Sequence, residues 1–235
     1  MKRSKKKRII IGLAVTAIII VALLGAFYIY TLNYYRADDS AQAIYEQADF
    51  IDGNAVFNAG TNDSKTGLIF YPGGKVEASA YAPLLKALSD EGITCILVEM
   101  PFNLAVFRIN AADEIYEKFP GIENWYLGGH SLGGAMASSY VNKNSDKLMG
   151  LVLLGAYPIN DSDIPTLAVY GTEDNGLDIS KLEGVENRLE LIGGNHAYFG
   201  NYGEQKGDGV ASMTRDEQQE MTVAAIIDFI KGSTE

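Results

Sequence analysis

The sequence predicts an α/β fold: a mostly parallel twisted sheet with helices on both faces, preceded by one transmembrane helix. Three observations carry this expectation. From Thr66 onward, short apolar runs alternate with amphipathic stretches, the pattern of a parallel sheet buried on both faces. The run Asn124–Gly128 passes through a glycine-rich turn directly into an alanine-rich helical pattern. Ile9–Leu32 holds no charged residue over about 24 positions, more than the roughly 20 that span a bilayer as a helix.

In chain order, Lys2, Arg3, Lys5, Lys6, Lys7 and Arg8 precede the apolar run, and Arg36, Asp38 and Asp39 follow it. The positive-inside rule then puts residues 1–8 in the cytoplasm as a basic tail and everything after residue 32 outside. Tyr28, Tyr30, Tyr34 and Tyr35 fall where an interfacial aromatic belt would sit. A cleavable signal peptide shares the basic start. Its apolar region is shorter, about 7–15 residues, and ends in a small-x-small site, for which Gly25-Ala26-Phe27 is a poor match. The expectation is an uncleaved signal anchor at 9–32, a stem at 33–53 and one globular domain at 54–235.

Within the stem, Ala37–Asp49 reads as a short helix with Asp38 or Asp39 near its N-cap. Asn54–Asn58 and Thr66–Tyr71 read as strands around the turn-rich Ala59–Ser64. Pro72-Gly73-Gly74 ends the second strand, and a helix follows from about Ser79 to Asp90. Ile93–Glu99 is a nearly continuous apolar strand closed by Met100-Pro101, with a helix expected from about Leu104 to Phe119. Trp125–Gly128 leads into the turn and the helix Leu132–Asn142, and Leu148–Leu154, Thr166–Tyr170 and Arg188–Ile192 are further strands. A last helix, about Asp216–Lys231, sets Met221, Ala224, Ala225, Ile227 and Phe229 or Ile230 at helical spacing. No inter-strand segment is long enough for a large lid.

Composition narrows the partners. A hydrophobic fraction of 47% and a charged fraction of 21% are globular values. Beyond Arg8 the chain has thirteen basic and thirty acidic residues, −17 net, which argues against nucleic acid because phosphate binding needs a basic stripe. The one cysteine, Cys95, lies in an apolar run and reads as a small buried hydrophobe.

Gly129-His130-Ser131-Leu132-Gly133 fits G-x-S-x-G, which carries meaning as strand, sharp turn, helix: that geometry lifts the serine above the sheet edge. Serine is a weak nucleophile without a base and a group to orient that base. The chain has two histidines. His130 belongs to the turn itself, whereas His196 follows the last predicted strand, on the edge where open α/β sheets bind ligands. The orienting acid is expected between Ser131 and His196 in the chain, in Tyr170–Gly176. Asp174 is preferred there, with Glu173 and Asp178 as alternatives. An oxyanion would take one backbone N–H from Leu132 and a second from Gly74 or Lys75 in the loop after Tyr71. Tyr198, Phe199 and Tyr202 are candidates either for a pocket wall or for packing. No cofactor and no metal site is expected.

Together, Ser131…Asp174…His196, the turn and the glycine-rich loop make the chain resemble the α/β-hydrolase fold superfamily. Phe70–Val76, Tyr81–Leu84 and Gly194–Gly200 resemble its small, lidless, dienelactone-hydrolase-like branch, over about Thr66 to Lys231. Two residues depart from that pattern. Pro72 stands where a histidine usually precedes the oxyanion glycine, and the nucleophile is serine rather than cysteine. The resemblance implies a serine hydrolase acting on a small-molecule ester or acyl substrate through Ser131, His196 and Asp174, and the N-terminal anchor makes the expectation a membrane-anchored, extracytoplasmic one. Amide or thioester hydrolysis and acyl transfer use the same parts. A non-catalytic surface binding protein on the same fold is the reading from another class.

Overall fold

The computed structural model describes residues 2–60, 64–159 and 163–233, so the tip of the expected Ala59–Ser64 turn lies outside the described residues. The chain divides into two units, Met1–Tyr34 and Tyr35–Glu235. The first is one helix, α1 (Lys2–Leu32). Within its Lys6–Leu32 portion an 18-residue stretch has a mean hydropathy of 2.9, and the portion is long and apolar enough to cross a membrane; the apolar part of a signal sequence has the same character.

The second unit is built on an eight-stranded sheet in the order β1-β2-β4-β3-β5-β6-β7-β8. The strands are β1 (Asp49–Ile51), β2 (Asn54–Phe57), β3 (Thr66–Tyr71), β4 (Thr94–Leu97), β5 (Asn124–His130), β6 (Gly150–Leu154), β7 (Thr166–Gly171) and β8 (Asn187–Leu191). From β4 to β8 every pairing is parallel, while β1 and β2 form an antiparallel hairpin at one edge. Side chains alternate across the sheet, as the two-residue strand period demands. Leu68 and Phe70 enter one core with Leu84, Leu85, Leu88, Ile226 and Phe229. Ile69 and Tyr71 enter the other with Ala137, Tyr140 and Val141. Helices α3 (Ala82–Asp90) and α6 (Arg215–Gly232) cover the first face, and α5 (Leu132–Asn144) covers the second. Thr214 and Glu217 start α6 with a reciprocal capping box.

Three sequence expectations change. The helix expected over Leu104–Phe119 is two 3₁₀ turns, Pro101–Asn103 and Ala105–Phe107, and one short α-helix, α4 (Asp113–Tyr116). Tertiary hydrogen bonds override helical propensity there. The Asn103 carbonyl accepts from Lys75 N–H at 2.7 Å, and the Tyr71 hydroxyl donates to Ile109 O and accepts from Ala112 N–H. The helix expected over Ala37–Asp49 is α2 (Asp39–Tyr45), capped by the Asp38 side chain on Ala41 N–H. Asp49 belongs instead to β1, which turns into β2 through Asp52 (φ 49°) and Gly53 (φ 81°), the left-handed pair of a tight hairpin. Lastly, the compact unit begins at Tyr35 and takes in residues 35–53, set apart from sequence as a stem.

Candidate active site

Parallel strands deliver their C-terminal ends to one edge of the sheet, and the predicted site residues follow three of those ends. Ser131 lies between β5 and α5 with φ 51° and ψ −119°, a region costly for a residue with a Cβ. Its N–H is held by Leu154 O at 3.0 Å. The turn closes only because its neighbours are glycines. A Cβ on Gly129 would meet the Gly133 carbonyl carbon at 2.6 Å, and one on Gly133 would overlap the Tyr71 and Pro72 carbonyl oxygens. Helix α5 therefore packs directly on the end of β3, with its N-terminus beside Ser131.

Asp174 follows β7 and His196 follows β8. The Asp174 Oδ2 to His196 Nδ1 distance is 2.7 Å, with the carboxylate side chain fully buried and the imidazole 7% exposed. Asp174 Oδ1 accepts from Gly176 N–H at 2.9 Å. Of the alternative acids, Glu173 is exposed, and Asp178 caps a 3₁₀ turn through Ser180. Neither is paired with His196. A carboxylate on Nδ1 fixes the tautomer in which Nδ1 carries the proton and Nε2 is free to accept one.

The loop carrying His196 is pinned on several sides. Asp208 accepts from His196 N–H at 3.2 Å and from Ala197 N–H at 2.8 Å. The buried Gln218 amide of α6 closes a pair with the backbone of Asn195. Sequence gave no sign of Gln218, a polar residue on the covered side of a helix. Asp208 was foreshadowed only by its place between two glycines, a turn setting. Phe199 and Tyr202 are buried in the first core, so both serve packing; Tyr198 is half-buried against the same core.

In the loop after β3, successive amides have different fates. Gly73 N–H donates to the Tyr81 hydroxyl at 3.0 Å, and Lys75 N–H, with Lys75 at φ 59°, donates to Asn103 O. Gly74 N–H, between them, makes no hydrogen bond to a described residue, and Gly74 packs against the Leu132 side chain. Leu132 N–H stands at the first position of α5, where no intrahelical acceptor exists. Lys75, one of two sequence candidates for a second donor, thus has its N–H already engaged.

His130 is fully buried. Its Nδ1 lies 2.7 Å from the Tyr81 hydroxyl, and its ring centroid lies 4.5 Å from that of His196. Burial, and secondarily the neighbouring His196, holds the His130 imidazole well below the usual histidine range. Burial likewise pushes the Tyr81 phenol up, so both groups are neutral at physiological pH. Away from this edge, a cavity of about 1160 Å³ opens at the N-terminal ends of β6, β7 and β8, lined by Leu151, Thr166 and Asn187 and not by Ser131, Asp174 or His196.

Comparison with known proteins agrees with this architecture. The sequence profile described as the Alpha/beta hydrolase family matches residues 67–220, well over half of the chain. No curated protein matches the chain by sequence. Among solved structures, Est1E from Butyrivibrio proteoclasticus aligns with a TM-score of 0.58 at 15% identity, covering 78% of this chain and 98% of its own. A soluble variant of monoglyceride lipase from Saccharomyces cerevisiae, in complex with a substrate analog, aligns at 0.60 and 12% identity, covering 80% and 94%. Paleococcus ferrophilus monoacylglycerol lipase aligns at 0.57 and 16%, covering 77% and 98%. At these identities the likeness is one of fold.

Proposed function

The chain belongs to the alpha/beta hydrolase family, and from that premise we propose that it is a serine hydrolase acting on carboxylic esters. The observation that carries this reading is the buried Asp174–His196 hydrogen bond, formed at the same sheet edge as the strained turn that presents Ser131. In the proposed reaction His196 Nε2 takes the Ser131 hydroxyl proton as Oγ attacks the ester carbonyl. Asp174 holds the imidazole and stabilises the imidazolium that forms. Negative charge develops on the former carbonyl oxygen, and Leu132 N–H and Gly74 N–H are the donors for it; Gly74 is chosen over Lys75 because its N–H is uncommitted. Each such donor contributes about 3–4 kcal/mol when preorganised. Collapse expels the alcohol, which takes the proton from His196, and water then repeats the sequence to release the acid and restore Ser131.

Esters are the favoured substrates because the similar folds include an Est1E and two glyceride lipases by name. The basic cluster before Ile9–Leu32 supports an uncleaved anchor with the domain outside the cytoplasm. A fluorophosphonate probe tests the chemistry. Folded wild-type protein should form an adduct on Ser131 and hydrolyse p-nitrophenyl esters, and Ser131→Ala should do neither. Folded wild-type protein without the adduct would overturn the reading.

A further inference from the structure

Two buried polar side chains at the site have no part in the reaction just described, Tyr81 and His130. Tyr81 ends the 3₁₀ turn Ala78–Tyr81 that precedes α3, and His130 is the last residue of β5, next to Ser131. Both are fully buried. A single hydroxyl joins them to the loop after β3: Gly73 N–H donates to the Tyr81 oxygen at 3.0 Å, and that oxygen lies 2.7 Å from His130 Nδ1. The amide must donate, so the assignment that pairs the Tyr81 proton as well as the amide has the phenol proton on the His130 side. Tyr81 then donates to Nδ1, and the His130 proton resides on Nε2. Nε2 makes no well-formed hydrogen bond among the described residues, and the His196 backbone beside the ring favours its carrying a proton. The Gly73 position is also sterically committed, because a Cβ there would stand 2.6 Å from the Tyr81 hydroxyl and 2.8 Å from His130 Nδ1.

The consequence falls on Gly74. Its N–H belongs to a short stretch tethered on one side by Gly73 N–H on Tyr81 and on the other by Lys75 N–H on Asn103. A peptide clamped at both flanking amides has little freedom to rotate its own N–H away. At its far end, the relay rests a neutral imidazole against the His196 ring, 4.5 Å between centroids. We propose that Tyr81 and His130 are positioning residues that hold the Gly74 peptide and the His196 ring in register with Ser131. The inference rests on the serine hydrolase reading above. Electrostatic stabilisation requires donors set in advance of the reaction, and loss of register by about 1 Å costs on the order of 100-fold in rate.

The test compares Tyr81→Phe, His130→Ala, His130→Asn and the Tyr81→Phe/His130→Ala pair, with kcat counted per fluorophosphonate-titrated site. Tyr81→Phe and His130→Ala should each lower kcat about 10- to 100-fold while KM stays within about twofold. The pair should lose no more than the worse single change, since both cut one relay. His130→Asn, whose Oδ1 offers an acceptor in place of Nδ1, should recover most of the loss. Wild-type kcat per site in Tyr81→Phe, or independent multiplication of the two effects in the pair, would overturn the proposal. Imidazole ¹⁵N spectra of the wild-type protein test the relay without any variant having to fold: a proton on His130 Nε2 is expected, and one on Nδ1 would overturn it. Wild-type protein that takes no label at Ser131 would remove the hydrolase reading, and this role with it. Labelled wild-type beside an unimpaired Tyr81→Phe would remove this role alone.

Discussion

A Cβ placed on Gly155 would stand 2.9 Å from Nδ1 of His196 and 3.1 Å from Oδ2 of Asp174. Gly155 follows β6 with φ +52°, so it is glycine for two reasons, conformation and space. Gly155→Ala should wedge the imidazole from its carboxylate and lower kcat about 100-fold, besides a strain of about 1–2 kcal/mol from the left-handed backbone. Gly184→Ala is the control: φ is +93° there, but nothing lies within 4 Å of the added atom. It should cost stability alone. Urea melts and kcat per titrated site, read on both variants, separate the two effects. Equal kcat in the two would show that the space at Gly155 is unrelated to the Asp174–His196 pair.

Asp174 and Glu173 are neighbours with opposite exposures, and their substitutions should diverge accordingly. Asp174→Asn keeps the shape but replaces an acceptor-only carboxylate with an amide, so the His196 tautomer is no longer fixed; kcat should fall about 10⁴-fold. Glu173→Gln and Asp178→Asn, on solvated side chains, should stay within about threefold of wild type. Esterase assays with the Ser131→Ala background subtracted decide this. A larger loss at Glu173 than at Asp174 would reassign the acid.

Much of this site was legible because its constraints are local. Gly129 and Gly133 mark a turn that closes only without Cβ atoms, and strand periodicity places Ser131, Asp174 and His196 after parallel strands that must end on one edge. With two histidines in the chain, the choice of a candidate base was short. The features that escaped are the non-local ones. The broken segment 101–116 depends on Lys75 and Tyr71 bonding to it across the sheet, which no propensity encodes. Gln218, Tyr81 and Gly155 owe their places to residues 23, 49 and 41 positions away or to the ring they abut. The β1–β2 hairpin is different, since Asp52-Gly53 is a readable turn signal, obscured because β1 is three residues long and two of them are exposed.

Residues 35–38 are tied to the loop that carries Gly74. Tyr35 N–H donates to Lys75 O at 2.8 Å and Glu77 N–H to Tyr35 O at 2.9 Å. Ala37 N–H donates to Glu77, and Asp38 pairs with Arg215 at 2.6 Å. A chain starting at residue 34 keeps all of these, whereas one starting at residue 54 loses them with α2 and β1. The shorter truncation should yield soluble protein with kcat near that of full-length protein. The longer one should be markedly less stable and largely inactive. Thermal melts and ester turnover on the two truncations check this; equal melting temperatures would show that residues 35–53 contribute nothing to the domain.

The pH dependence of stability should carry the signature of His130. Burial, and then the neighbouring His196, holds this imidazole well below its usual pKa of 6.5 in the folded protein, whereas the unfolded chain binds a proton there at about 6.5. Between those two values the unfolded state carries more protons, so stability rises with pH. Equivalently, the full contribution is present above pH 6.5 and is lost as pH falls toward the folded-state pKa. The slope for one such group is about 1.4 kcal/mol per pH unit. His130→Asn removes the titrating group while leaving His196 and every carboxylate in place, so the difference between the two proteins isolates it. From pH 6 to pH 5 the wild-type unfolding free energy should drop more steeply than that of His130→Asn, and the two should run parallel above pH 7. Urea titrations at half-unit steps from pH 8 to pH 5 measure this. Parallel curves throughout would mean that His130 accepts a proton in the folded protein as readily as in the unfolded chain, and would overturn the shift assigned to its burial.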